Sequence, residues 1–550
     1  MRTALLRRAL PLWIAAALCA ACGDPQEPSP TGDTAPAPLP PADYALEAAP
    51  ASMRRLTQLQ YRRAITDLLG EGLVLPTGLE PDQSVGGLLE VGGGVTGVST
   101  RGAEQYEDAA YALAEQALRD PTRRAALVPC QPAGARDEAC ARRFVEAVGA
   151  RAWRRPLDEA EVARLVAVAD RAAETLGDFY LGLEYALAAI LQSPWFLFRV
   201  ELGEPDGEGA RRLTQWELAA RLSFFLWNRP PDEALREAAA AGALRDPEAL
   251  RAQAARMLDD PLAREGLRNF FTEYFELYRL DALNKDPLVF PHMDQELGPS
   301  AREETLRVLE ALVFEEDGDY RDALTRQETF VNRKLAALYD LRAPTREGFG
   351  RATLPPDGPR VGLLGHASLL SLHAHPVSSS ATLRGIFIRE RLLCQTIPDP
   401  PSNVDTSIPE PSGETLTLRD RVAEHLTEES CAACHLLMDP LGLGLEHFDG
   451  VGRARARDNG ALIDASGDLD GIAFDDPRGL AQALRDHEAL PGCLVRHLYR
   501  YATGHVEVFG EREALRDLNA RFAHHNYRVK ALLLELIQSP AFSQVGEVNP

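Results

Sequence analysis

Lysine is nearly absent from this sequence: Lys285, Lys334 and Lys530 are the only three in 550 residues. Arginine carries almost all of the positive charge, a bias that GC-rich codon use produces. Acidic residues outnumber the basic ones and leave a formal net charge of −23. No basic patch forms, which argues against nucleic acid as a partner. Familiar catalytic signatures are missing too: there is no GxSxG elbow, no Walker phosphate loop, no HExxH and no GxGxxG after a strand. Beyond the first residues no apolar run approaches the length of a membrane-spanning helix.

What is present is an ordinary globular composition, 45% hydrophobic and 26% charged. The length exceeds what one core usually serves and suggests about three domains. The first residues read as an export signal, with Arg2, Arg7 and Arg8 ahead of an apolar stretch from Ala9 to Leu18. Leu18-Cys-Ala-Ala-Cys22 resembles a bacterial lipoprotein cleavage site, with Cys19 where leucine is usual. The expectation is a signal peptide over 1–21, lipidation of Cys22, and a disordered tether over 22–50, rich in Pro, Ala, Asp and Thr. That places the protein in the cell envelope, periplasmic or at the surface, on a membrane anchor.

Six further cysteines remain, and an oxidising compartment favours disulfides among them. Cys130 and Cys140 flank a short polar loop and form the first expected pair. If Cys431 and Cys434 hold a cofactor, Cys394 and Cys493 are left for each other. Six cysteines nevertheless allow 15 pairings.

Helical periodicity dominates, so the expected fold is mainly α, a multi-domain helical assembly with minor β hairpins. In RRLTQLQYRRAITDLLG, Thr57 and Gln60 have capping-box spacing. Tyr61, Ile65, Leu68 and Leu69 then form an apolar stripe, and Gly70 can end the helix. RRLTQWELAARLSFFLW repeats the pattern from Arg211, with Thr214 and Glu217 as the box. A second echo joins AILQSPWF to ELIQSPAF, where proline after serine stops each helix at the same point. Leu75–Ser99 reads as a glycine-rich excursion, and a small hairpin is expected to turn at Asn459-Gly460. Between Asp464 and Pro477 the acidic loop fails the calcium-loop pattern, because proline stands where a bidentate glutamate is required.

Chemistry shows through at Cys431-Ala-Ala-Cys434-His435. Cys-x-x-Cys-His is the attachment signature of a c-type haem: two thiols add to the vinyl groups and the adjacent imidazole binds iron. A disulfide between Cys431 and Cys434, or zinc held by these cysteines and histidine, are the alternatives. Met438 lies on the same helical side as His435, next to an expected helix stop at Asp439-Pro440, and should not reach the opposite face. Candidates for that face are His373 and His375 in LSLHAHPVSSS, with His366, His447 and the more distant Met293 behind them.

Five stretches together resemble an envelope protein family best known by its domain of unknown function 1592, named after planctomycete genomes and their cytochrome-like segments. RRLTQLQYRRAITDLLG looks like the first module, expected over 53–120. CARRFVEAVGARAWRRPLDEAE through LQSPWFLFRVELG looks like the second, over 128–203. LTQWELAARLSFFLWNRPPDEAL through ETFVNRKLAALYDL resembles the third, over 210–341. RVGLLGHASLLSLHAHPVSSSATLRGIFIRERLLCQTIPDPPSNV through CAACHLLMDPLGLGLEHFDGVGR is similar to the cytochrome-like fourth, over 350–457. IDASGDLDG through LIQSPAF looks like the last, over 458–546. One departure is SSSATLRG in place of the family's Thr-Ser-Pro-Val before Leu-Arg-Gly. The resemblance implies an envelope setting and a cytochrome-like fourth module, but no reaction or substrate. Two functions follow as expectations. One is electron transfer through haem c to a redox partner protein. The other is a haem-free surface lipoprotein binding polysaccharide or protein, with Cys431–Cys434 as a staple.

Overall fold

Each expected helix start is present in the computed structural model, which describes residues 39–40, 44–206, 211–398, 411–413, 416–427 and 429–548. The signal segment and Cys22 lie outside the described residues. Thr57 accepts from the Gln60 amide while the Gln60 side chain accepts from the Thr57 amide, both at 3.2 Å. This box opens the helix Gln58–Leu69, whose buried stripe includes Tyr61, Ile65, Leu68 and Leu69. Gly70 (φ 91°) ends it in a conformation costly for other residues. Thr214 and Glu217 form the second box, opening Gln215–Trp227, and Asn228 in the left-handed region closes it.

The echoes meet in one sheet. Phe198–Glu201 and Gln544–Val548, the strands that follow the two Gln-Ser-Pro turns, lie on either side of Pro50–Arg55. Arg211–Arg212 then pairs with Gln544–Val548, and Glu204–Pro205 completes the order. The same bond recurs in both halves: Leu56 N donates to Leu197 O at 2.8 Å, and Leu213 N to Ser543 O at 2.9 Å. Each half of the chain therefore opens with Arg-Arg-Leu-Thr and closes against that opening with the strand after Gln-Ser-Pro. The two strand pairs join through a parallel contact, Pro50 opposite Gly546.

The fold is mainly α with small β hairpins. Asn459 (φ 46°) and Gly460 (φ 85°) turn between Arg457–Asp458 and Ala461–Leu462, as expected. Residues 40–550 form one compact unit, so the modules do not stand apart as the length suggested. One apolar core draws on side chains from Leu88 to Val545, and a second on Leu56 to Phe224. Among the described residues no helix is long and apolar enough to cross a membrane.

Three local expectations need correction. The tether does not extend to residue 50: Tyr44 and Leu46 pack on the main core, the Ala49 amide donates to Glu511, and a strand begins at Pro50. The glycine-rich excursion contains the helix Leu89–Val95. Its glycines suit helix poorly in isolation, but a Cβ on Gly93 would meet the Arg55 carbonyl at 2.6 Å, so close backbone packing selects them. Asp439-Pro440 does not stop its helix, which runs on to Leu443. Gly442 there presses against the Ala381 backbone, and that contact holds the turn after the proline.

Candidate functional site

Cys431, Cys434 and His435 sit on the helix Glu429–Leu443. The structure pairs Cys130 with Cys140 and Cys394 with Cys493, at Cα separations of 5.8 and 5.3 Å. Cys431 and Cys434 remain thiols, both partly exposed, and no bond staples them to each other. The Cys434 sulfur lies 3.9 Å from the Pro398 carbonyl. His435 Nδ1 is 2.8 Å from Oδ2 of Asp439, one turn on and fully buried. Asp439 Oδ1 accepts from Thr382 at 2.9 Å. A carboxylate cannot donate, so the proton sits on Nδ1 and Nε2 is the basic nitrogen. This is the carboxylate–imidazole pairing that orients metal-binding histidines. Leu436 and Leu437 beside it are exposed, 57% and 42%, giving apolar surface next to the thiols.

Two glycines seat this helix. Gly385, in Ala381–Ile386, leaves no room for a Cβ against the Met438 carbonyl, and Gly442 does the same for Ala381. Buried Arg384 donates to the carbonyls of Leu445 (2.9 Å), Phe448 (3.0 Å) and Asp449 (2.7 Å), fixing the chain beyond the motif. Arg389 does likewise for Leu437, at 2.8 Å, from the π-helix Phe387–Leu392. The serines that depart from the family pattern have definite places. Ser380 Oγ accepts from Leu383 N to cap the helix, and Ser379 donates to Glu446 at 2.9 Å.

The other candidates are held by groups away from the motif helix. His373 stacks on Phe387 at 4.4 Å between ring centroids, and its Nε2 is buried without a partner. Burial, reinforced by Arg279, Arg384, Arg391 and Lys285, pushes it down to about 3, so it is neutral. His375 is exposed, and Lys285 Nζ donates to its carbonyl (3.0 Å) and to that of Ala374 (2.5 Å). His366 faces Thr305 at 3.0 Å, and His447 Nδ1 donates to the Arg455 carbonyl at 3.1 Å. Met293 packs against a small separate core. Met438 is buried in packing, as its helical position implied. In the acidic loop, Asp470 receives Arg389 at 2.8 Å and His487 at 3.1 Å, so arginine and histidine take the place a cation would need.

Sequence reasoning missed a buried ion cluster. Arg54 binds Glu90 at 3.0 Å and also Glu201; Arg199 binds Glu90, and Arg221 binds Glu201. Gln60 links Glu90 to Asn228, at 2.7 Å on each side. Beside it the Glu273 carboxyl accepts from the Glu90 amide at 3.0 Å and from Asn269 at 2.9 Å. The one available signal was the repeated Arg-Arg ahead of Leu-Thr-Gln.

Five family models match, each described as a protein of unknown function: DUF1587 over 54–119, DUF1595 over 140–201, DUF1592 over 213–341, DUF1588 over 360–458 and DUF1585 over 470–542. The motif helix lies in the DUF1588 match. Comparison with the curated proteins and with the solved structures finds no match.

Proposed function

Since the chain belongs to the DUF1592 family of planctomycete-cytochrome-like proteins, we propose that it is a c-type-haem electron-transfer protein, anchored in the cell envelope through Cys22. The supporting observation is the His435–Asp439 pair, flanked on one helix by the thiols of Cys431 and Cys434 and by exposed leucines. Cys431 and Cys434 would hold the haem through thioethers, and His435 Nε2 would bind its iron. The group supplies a one-electron carrier when bound. Asp439 keeps the imidazole in the ligating tautomer, Thr382 and burial hold Asp439, and Gly385 and Gly442 keep the helix in register. His373, stacked on Phe387 but with a buried nitrogen that lacks a partner, and exposed His375 would be the histidines to offer the iron a second nitrogen.

The test is expression in a host with haem-attachment machinery, followed by a visible spectrum and a haem stain under denaturing conditions. Covalent haem is expected in the native sequence and none in Cys431→Ala/Cys434→Ala; a colourless native protein overturns the reading. His373→Ala or His375→Ala should shift the spectrum of the reduced form. Cys22→Ala should move the protein from the membrane fraction to the soluble one.

A second reading, a haem-free lipoprotein that binds polysaccharide, is favoured by one observation. Trp195 and Trp216, with buried Trp153 behind them, line a cleft of about 260 Å³ in which Arg155 lies over the Trp195 ring at 4.0 Å. Flat aromatic faces of this kind suit sugar rings as they suit cations. Tryptophan fluorescence quenching by envelope polysaccharide, lost in Trp195→Ala and Trp216→Ala, would support it.

A further inference from the structure

The disulfide Cys394–Cys493 has a third member. Cys493 and His497 are one turn apart on the helix Ala489–Thr503, and a His497 ring nitrogen and the two sulfurs lie within 4.8 Å of one another. His497 is 2% exposed and its Nδ1 has no hydrogen-bond partner. A buried polar nitrogen without a partner is costly, so its persistence here needs an explanation. Tyr274 packs on the ring at 4.5 Å but offers only its aromatic face. Two sulfurs and an imidazole are the donor set that borderline-soft cations prefer.

We propose that Cys394, Cys493 and His497 form a reductively gated site for a thiophilic divalent cation of the Zn²⁺ type. In the oxidised protein the sulfurs are spent on each other and the site is closed. A dithiol reductant opens it: two electrons and two protons pass to the S–S bond, giving two thiols, while the reductant becomes a disulfide. The cation then displaces both thiol protons and binds two thiolates and the imidazole. That leaves a fourth position for water, the open coordination of three-ligand zinc centres. Burial, with Arg500, Arg391 and Arg496 bearing on His497, keeps it neutral; the same cations would offset the charge of two thiolates beside it. The site is independent of the haem reading, since neither thiol of the motif takes part.

Co²⁺ titration of the full-length Cys431→Ser/Cys434→Ser protein tests this, because that background lacks the motif thiols and any haem absorption, and the Cys130–Cys140 pair is controlled separately. The oxidised form should take up none. After reduction by a dithiol it should bind one equivalent, with thiolate-to-cobalt charge-transfer absorption. His497→Ala should lower the affinity by about 10–100-fold, whereas Cys130→Ser/Cys140→Ser should leave it unchanged. Circular dichroism checks each variant, and His497→Gln decides if His497→Ala is unfolded. The proposal is overturned if the reduced protein binds no cobalt, if binding ignores both His497 variants, or if reduction itself abolishes the helical signal.

Discussion

Glu273 is an acid kept where a charge is expensive. Burial, then repulsion from Glu90, raises it to about 8, so the folded protein holds its proton at neutral pH. An unfolded glutamate releases that proton near 4.3. The folded state therefore binds more protons across this window. The stability involved is complete below about 4.3 and is lost as pH rises through about 8. Glu273→Gln should flatten this slope and stabilise the protein on the order of 1–3 kcal/mol at pH 8, read from thermal melts at several pH values. Glu201 behaves oppositely: burial raises it, but Arg221, Arg54 and Arg199 outweigh burial and hold it at about 2. Arg54→Met leaves two buried carboxylates short of a cation and should cost about 3–5 kcal/mol, measured by denaturant unfolding. On the proposed haem reading, Asp439→Asn should weaken iron binding by His435 by about tenfold, seen as a spectral change with covalent haem retained. Cys431 to His435 stand out in the sequence because the motif is contiguous. The ion cluster does not, because Arg54 meets partners 36 and 147 residues away.

Helices whose ends carry their own signals were read correctly: the boxes at Thr57 and Thr214, the glycine after Leu69, the turn at Asn459-Gly460. Each is a local competition that capping or φ preference decides. Reading failed where a distant backbone decides. Gly92 to Gly94 argue against helix by propensity, yet the closeness of Arg55 and Gly504 favours residues without side chains there. Pro440 argues for a stop, yet the fit of Gly442 against Ala381 carries the helix onward. Gly385→Ala tests the same crossing. A methyl there meets the Met438 carbonyl, so about 1–3 kcal/mol should be lost. In haem-free protein Cys431 and Cys434 should also react faster with a thiol reagent as their helix loosens. An unchanged melt and unchanged thiol kinetics would mean the crossing is not what seats the motif.

At the scale of the whole molecule, the modules recognisable in the sequence are not separable in the structure. Arg54, Gln60 and Glu90 lie in the first match or just inside it, Arg199 and Glu201 in the second, Arg221 and Glu273 in the third, and Phe542, whose carbonyl accepts from Arg221 at 3.0 Å, in the last. A fragment ending at residue 206 keeps Glu201 but loses Arg221 and the strand Gln544–Val548. It keeps the second apolar core apart from Phe224, so it should still melt cooperatively but well below the whole protein, and an equal midpoint would refute the coupling across the cluster. Module order was readable because each carries its own motifs. Their fusion was not, because it depends on pairings across most of the chain.

The parallel contact between Pro50 and Gly546 also sets when the protein can be finished. A polypeptide made from its N-terminus presents Pro50–Arg55 to its surroundings long before Gln544–Val548 exists, and closing so long a loop is slow. Throughout synthesis the first strand has an unpaired edge, a template for wrong partners. The molecule closes like a clasp, and only the strand Gln544–Val548 can shut it.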